Sequence, residues 1–355
     1  MTTKIIFVDP ENVKNYDNEL KYAAEVLRRG ELVAFPTETV YGLGGDGTNP
    51  DAAKKIYSAK GRPSDNPLII HIAKPIDAEA YTYTNQTYFR LAEKFMPGPL
   101  TVVMTARDTV PTETRGGLST VAVRCPSHPV AHRLIELCGF PIAAPSANLS
   151  GSPSPTDASH VIDDMQGRIS VIIDGGECEI GLESTIVKLE DDGSMTLLRP
   201  GKITAAELAF IAPVRLAEAV TDRLKDGDVA LSPGMKYRHY ATKAPIVLLD
   251  GEVDSIVEYI KAEGISDRAV ICYNDEKEKI LQMLPDAHIY TMGARDDLDE
   301  QARLLFSVLR QADKHNFNKI YAPLPSKDGV VLSLYNRMIL AAEHTVINLR
   351  QEKNG

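Results

Sequence analysis

Apolar positions along the chain follow two rhythms, and the change from one to the other falls near residue 245. Before it, strand-like runs occupy residues 4–8, 31–35, 68–72, 100–104, 120–124, 169–173, 185–189 and 195–198. Helical spacing marks 17–29, where Gly30 closes the run, then a stretch near 50–59, and 129–137, 156–165 and 204–211. Strands outnumber helices and several adjoin with no helix between them. That predicts an α/β fold in which helices lie over a twisted mixed sheet, not a purely parallel doubly wound one. After residue 245, strands over 246–249, 269–273, 288–291 and 319–322 alternate with helices over 253–262, near 276–283, and over 297–314 and 332–344. This βαβ rhythm predicts a smaller, Rossmann-like parallel α/β domain. It contains no glycine-rich βα turn, so no nucleotide is expected there. Periodicity fades between the two, which divides the chain into a first domain (1–211), a linker or lid (212–245) and a C-terminal domain (246–355).

The segment YGLGGDG (41–47) spells the G-x-G-x-x-G of a dinucleotide-binding turn, with Asp65 near the distance of a ribose-binding acid. The local physics disagrees. Six residues, PTETVY (36–41), separate the preceding strand from Gly42, whereas a dinucleotide turn begins directly off its strand. Asn49 and Pro50 cap a helix that starts after the third glycine, and Pro63 and Pro67 put Asp65 in a loop. The glycines are expected instead to free the backbone after Thr37, so that a strand end turns beneath the loop around Lys60 and Arg62.

Composition narrows the class. The chain is 43% apolar and 25% charged, without the long apolar run of a membrane span or signal peptide, so a cytoplasmic protein is expected. Four scattered cysteines form no C-x-x-C pair, and neither a metal centre nor a disulfide is expected from them. Net charge is −10, which argues against strong direct nucleic-acid binding. Residues 54–74 nevertheless carry five bases against one acid, the footprint of a small anionic ligand, while residues 250–300 carry fourteen acids against five bases.

Four short segments concentrate the polar chemistry. KGRPSDNP (60–67) sets a point charge, Lys60, two residues from the forked guanidinium of Arg62, a pair suited to straddling a polyphosphate. AAPSANLSG (143–151) is small and polar, so backbone can approach a ligand closely while Ser146 and Asn148 supply donors. TVAVR (120–124) puts Thr120 and Arg124 on one strand face, and STIV (184–187) with LRPG (198–201) adds a hydroxyl and another guanidinium. There is no paired-carboxylate, Ser-His-Asp or metal-ligand pattern. Such a site works by positioning and charge neutralisation.

In order along residues 30–240, PTETVYG (36–42), KGRP (60–63), NPL (66–68), PGPLT (97–101), VAVR (121–124), APSANLSG (144–151), STIV (184–187), LRPG (198–201) and KYRHY (236–240) resemble the YrdC-type threonylcarbamoyl-AMP synthase family, in its long form with a C-terminal extension. The resemblance implies a YrdC-like catalytic domain and a nucleotidyltransferase reaction. L-Threonine, bicarbonate and ATP, with Mg2+, would give threonylcarbamoyl-AMP and pyrophosphate, and the product would pass to a separate tRNA threonylcarbamoyl transferase. It also implies catalytic roles for Lys60, Arg62, Ser146 and Asn148. Threonine contacts would fall on Thr37, His71, Arg124, Ala144 and Ser184, and ATP contacts on Arg62, Asn66, Thr120, Ser146, Ser154 and Arg199, with Tyr237 closing from the linker. One departure is Thr242, where the resemblance leads one to expect proline. Two rival readings are a nonenzymatic RNA-binding module of the same fold and a carbamoyltransferase. Acidic charge and the lack of an aromatic platform oppose the first, and the absence of acylphosphatase-like and zinc-finger segments opposes the second.

Overall fold

The computed structural model describes residues 2–220, 239–327 and 331–350. By contacts it divides into two units, Met1–Ser150 with Ser154–Tyr237, and Gly151–Pro153 with Arg238–Gly355.

Strand alternation in the first unit sends side chains to two faces, and both are buried. The strands are β1 (Lys4–Phe7), β2 (Val33–Phe35), β3 (Gly42–Asp46), β4 (Ile69–His71), β5 (Leu100–Thr105), β6 (Thr120–Arg124), β7 (Ile142–Ala143), β8 (Val171–Asp174), β9 (Thr185–Leu189), β10 (Met195–Arg199) and β11 (Val214–Leu216). They form one sheet in the order β1-β8-β2-β3-β7-β4-β6-β5-β9-β10-β11. Parallel pairs (β4 with β6, β5 with β9) sit beside antiparallel ones (β5 with β6, β9 with β10), so the sheet is mixed, as the pattern predicts. The helices are α1 (Asp17–Arg28), α2 (Pro50–Lys60), α3 (Gln86–Phe95), α4 (Pro129–Cys138), α5 (Ala158–Met165) and α6 (Ala205–Ala209). Val33, Phe35, Ile142 and Ala144 pack with α1 and α4 on one face, while Ala34, Ala143 and Ile70 pack with α2, α3 and α5 on the other. Further along the first face, β4, β6, β5, β9 and β10 carry a small apolar group of their own: Ile69, Ala122, Val103, Ile186 and Leu198.

Four elements here are not predicted by the apolar spacing: the two-residue strand β7, and three longer ones. Helix α3 buries only Tyr88, Leu91 and Ala92, a face too narrow to stand out, and its local signal is the cap at Asn85, whose Oδ1 accepts from Tyr88 N at 2.9 Å. Strand β11, inside the stretch read as linker, pairs in parallel with β10. The third is β3. The glycines of YGLGGDG form a strand antiparallel to β2, and none of them has positive φ, so they do not serve backbone freedom as the sequence suggests. They serve close packing: a Cβ on Gly44 would lie 2.7 Å from Ile142 Cγ2 and 2.8 Å from Phe35 Cε1. Gly44→Ala is therefore expected to cost about 1–3 kcal/mol through overpacking, read as a lower urea midpoint at unchanged slope.

In the second unit the strands are β12 (Ile246–Asp250), β13 (Arg268–Cys272), β14 (His288–Thr291), β15 (Lys319–Pro323) and β16 (Val346–Asn348). The helices are α7 (Val253–Glu263), α8 (Lys277–Met283), α9 (Leu298–Asp313) and α10 (Leu332–Ala341). The sheet runs β14-β13-β15-β12-β16, and every pairing is parallel. This is the parallel α/β domain that the βαβ rhythm predicts, with β15 lying between β13 and β12, where a Rossmann sheet sets its first strand beside its second. The short edge strand β16 has no apolar run to announce it. Thr242, standing where proline was expected, is buried and its hydroxyl donates to Ala244 O at 2.6 Å, so a side-chain bond closes the local turn. Among the described residues no helix is long and apolar enough to cross a membrane.

Candidate active site

The ends of five neighbouring strands bring the first group of polar residues together. His71 ends β4 and stands in register with Arg124 at the end of β6, and Arg124 in turn is in register with Thr101 on β5. On the next strand Ser184 precedes β9, and its hydroxyl shares a 2.7 Å hydrogen bond with Thr101 Oγ1. Arg199, at the end of β10, donates from Nε to Ser184 O (3.0 Å) and from Nη2 to Ser184 Oγ (3.2 Å). Arg124 Nη2 lies 2.8 Å from Glu38 Oε1, and both side chains are about 5% exposed or less. Thr37, one residue before, accepts from the amides of Thr39 and Val40 and donates to Val40 O at 2.7 Å, which locks the turn between β2 and β3. All of these side chains are buried.

The second group is built on backbone. Helix α2 ends at Gly61 in the left-handed region (φ 64°), where glycine is favoured, and the reversal separates Lys60 from Arg62. Lys60 is 3% exposed, and its Nζ donates to Ser146 O at 2.5 Å, to Asn148 O, and to Asn148 Oδ1 at 3.3 Å. Ser146 Oγ donates to Asn148 Oδ1 at 2.5 Å. Backbone bonds from Ala147 N to Tyr41 O and from Leu43 N to Pro145 O, both 2.8 Å, fasten this loop to the start of β3. Arg62 donates to the carbonyls of Asn66 and Pro67 at 3.1–3.4 Å. Lys60 and Arg62 both engage backbone carbonyls and so shape the two loops. Asn66 is buried, and its Oδ1 has no hydrogen-bond partner among the described residues.

Other predicted residues are placed as follows. Ala144 leaves β7 and donates its amide to Ile69 O at 2.8 Å, between the two groups. Thr120 begins β6, four residues from Arg124, or about 13 Å along the strand, and so lies toward the second group. Arg199, by contrast, is bonded to Ser184 and belongs with the first. Ser154 is buried and donates to Glu183 Oε1 at 2.5 Å. Tyr237 lies outside the described residues, as do Lys236 and Arg238 of the linker motif. Sequence reasoning missed Thr101, Glu38 and Glu183. Each lies inside or beside a motif already singled out, and only strand register shows which of them turn inward.

Among the described residues no group of three or more His, Cys, Asp or Glu could hold a metal ion. Glu38 faces Arg124 and Glu183 accepts from Ser154, so the carboxylates here do not form a resident Mg2+ site.

Burial, then the nearby charge of Arg124, push the His71 imidazole down to about 3, and burial pushes His128 to about 4. Both rings are therefore neutral at pH 7, and His71 Nδ1 stands 3.2 Å from Ile142 O. Since the unfolded histidines protonate near 6.5, this stability is full above that pH and falls as acidification approaches the folded values. Each ring is expected to contribute a slope of about 1.4 kcal/mol per pH unit between roughly pH 6 and 4. Urea titrations across that range should show it, and His71→Asn should remove about one proton's worth.

A mixed sheet whose strand ends gather guanidiniums and hydroxyls, beside a loop tied down by a buried lysine, defines a protein that binds small anions by fixed donors. Comparison with known proteins identifies its relatives. The Sua5, YciO and YrdC family model, described as telomere recombination, matches residues 25–201, and the model described as threonylcarbamoyl-AMP synthase, C-terminal domain, matches residues 203–343. A threonylcarbamoyl-AMP synthase of Bacillus subtilis is 42% identical over 98% of this chain and 100% of its own. One from Pyrococcus abyssi is 41% identical over 93% of this chain and 96% of its own. The crystal structure of P. abyssi Sua5 complexed with L-threonine superposes with a TM-score of 0.88 at 40% identity, covering 98% of this chain and all of that one. The chain belongs to the Sua5, YciO and YrdC family, in the long form with the Sua5 C-terminal domain.

Proposed function

We propose that this chain is a threonylcarbamoyl-AMP synthase, a nucleotidyltransferase that makes threonylcarbamoyl-AMP and pyrophosphate from L-threonine, bicarbonate and ATP. The observation that carries the reading is the pairing of two groups on one sheet: buried Arg124 with Thr101 and Ser184 at one end, and the Lys60-anchored loop of Ser146 and Asn148 with Arg62 toward the other. The relatives' names give the product and, in one crystal structure, L-threonine; bicarbonate and ATP belong to the proposal. A threonine carboxylate suits Arg124 and Ser184, with Thr37, His71 and Ala144 around it. The nucleotide suits Arg62, Asn66, Thr120, Ser146 and Ser154, with Tyr237 from the linker. Arg199, the remaining nucleotide contact of this reading, is bonded to Ser184 and so would join the nucleotide to the threonine group.

In this reading the threonine ammonium first gives up a proton; the neutral amine then attacks the carbon of bicarbonate, and water leaves as the carbamate forms. The carbamate oxygen then attacks the α-phosphorus, and pyrophosphate leaves. Fixed donors do the work: they hold two anions at reacting distance and neutralise the charge that develops. Lys60 acts by positioning the 146–148 loop and placing its positive charge behind it. Mg2+ enters as the counterion of ATP, neutralising its phosphates, and not as a metal the chain holds by itself. The product would go to a tRNA threonylcarbamoyl transferase for modification beside the anticodon, in the cytoplasm, a location that suits four buried free thiols.

The test is pyrophosphate release by the purified chain. It should require threonine and bicarbonate together, and release indifferent to threonine would overturn the reading.

A further inference from the structure

The motif TETV (37–40) contributes a carboxylate that no step above uses. Glu38 is 3% exposed, and locking of its turn by Thr37, together with the bond from Ile180 N to Glu38 O at 2.8 Å, fixes where its side chain sits. Burial opposes its ionisation, but the Arg124 guanidinium beside it prevails and holds the carboxyl below the usual range. The group is an anion at neutral pH.

This is a poor stability device. A buried ion pair gains little over apolar packing unless its remaining polar atoms are satisfied. Here Oε1 of Glu38 and Nη2 of Arg124 meet at 2.8 Å, while Oε2 of Glu38 and Nε of Arg124 have no hydrogen-bond partner among the described residues. One end offers acceptors, the other donors, and the two lie side by side at the bottom of the first group. Its neighbour His71 is neutral, so it neither repels a cation nor competes for the carboxylate. A ligand that completes both ends must carry a cation and an anion one carbon apart. An α-amino acid does: its ammonium brings three donors, its carboxylate up to four acceptor sites.

We infer that Glu38 holds the α-ammonium of the amino-acid substrate while Arg124 holds its carboxylate, so that the pair reads the zwitterion as a unit. Glu38 is then a specificity-determining residue that excludes hydroxy acids of the same shape before chemistry begins. The inference rests on the reading that Arg124 binds the substrate carboxylate.

Calorimetric titration of the full chain with L-threonine and with 2,3-dihydroxybutanoate, its deaminated analogue, tests it. Wild type should prefer threonine by about tenfold or more, as expected for one charged hydrogen bond in a buried site; equal affinities would overturn the inference without needing any variant. Glu38→Gln should lower threonine affinity about tenfold or more and change that of the analogue less than about threefold. Equal losses for both ligands would show a merely structural role and overturn it, as would unchanged threonine binding. Glu38→Asp, which keeps the charge, should retain the preference for threonine; loss of preference there would also contradict the inference. Arg124→Ala separates the two levels. If it leaves both ligands bound, the carboxylate reading fails, whereas loss of both with selective loss in Glu38→Gln sustains each.

Discussion

Arg124→Ala should abolish threonine-dependent pyrophosphate release and destabilise the fold at once. The activity loss follows from removing the buried guanidinium in register with both His71 and Thr101; truncating one partner of such a buried charge contact costs about 2–5 kcal/mol, or roughly thirtyfold to several-thousandfold in kcat/KM. The stability loss follows from Glu38, which would keep its burial and lose its counter-charge, a change worth about 3–5 kcal/mol. The two effects come apart in the double variant Glu38→Leu with Arg124→Met. Replacing a buried pair by apolar groups of similar size is close to neutral, so urea unfolding should show most of the stability regained, while initial rates stay at the Arg124→Ala level. A double variant as unstable as Arg124→Ala would show that the buried charges are not what the single variant disturbs.

Lys60→Ala should lower kcat by about a hundredfold or more, through geometry and not through a lost phosphate contact. The ammonium sits between the carbonyls of Ser146 and Asn148, with Asn148 Oδ1 also within reach. Removing it frees the loop that carries the Ser146 hydroxyl. Lys60→Arg should not rescue the rate, because a planar fork does not fit where a compact ammonium meets converging carbonyls. Stability should fall by about 1–3 kcal/mol as buried acceptors lose their donor. Steady-state rates for both variants check this; turnover near the wild-type value in Lys60→Ala would remove the loop-anchoring role.

Most of the architecture was legible because both units keep the local patterns on which they are built. The strand 120–124 and the strand 185–189 appear where apolar alternation puts them, and the change to βαβ rhythm after residue 245 marks the parallel sheet. What escaped depends on partners distant in sequence. YGLGGDG looks like a turn because glycine has no side chain to pattern, yet it is a strand because Phe35 and Ile142 leave no room for anything larger than glycine. The K-x-R and S-x-N segments were visible as chemistry, but not the fact that Lys60 reaches across 86 positions to Ser146. Glu38 stood within a recognised motif, and its weight appears only when strand β6 brings Arg124 against it. Sequence spacing shows which side chains share a face of one strand; register between strands decides which of them meet.

Threonine, bicarbonate and ATP should meet in this site and leave it as one activated intermediate. Mass spectrometry of the nucleotide formed during brief incubation of the purified chain with ATP, Mg2+, L-threonine and carbon-13 bicarbonate tests it most directly. The expected product is an adenylate carrying both the threonine residue and one labelled carbon, formed in step with pyrophosphate. AMP or ADP alone, or an adenylate of threonine without the labelled carbon, would contradict it.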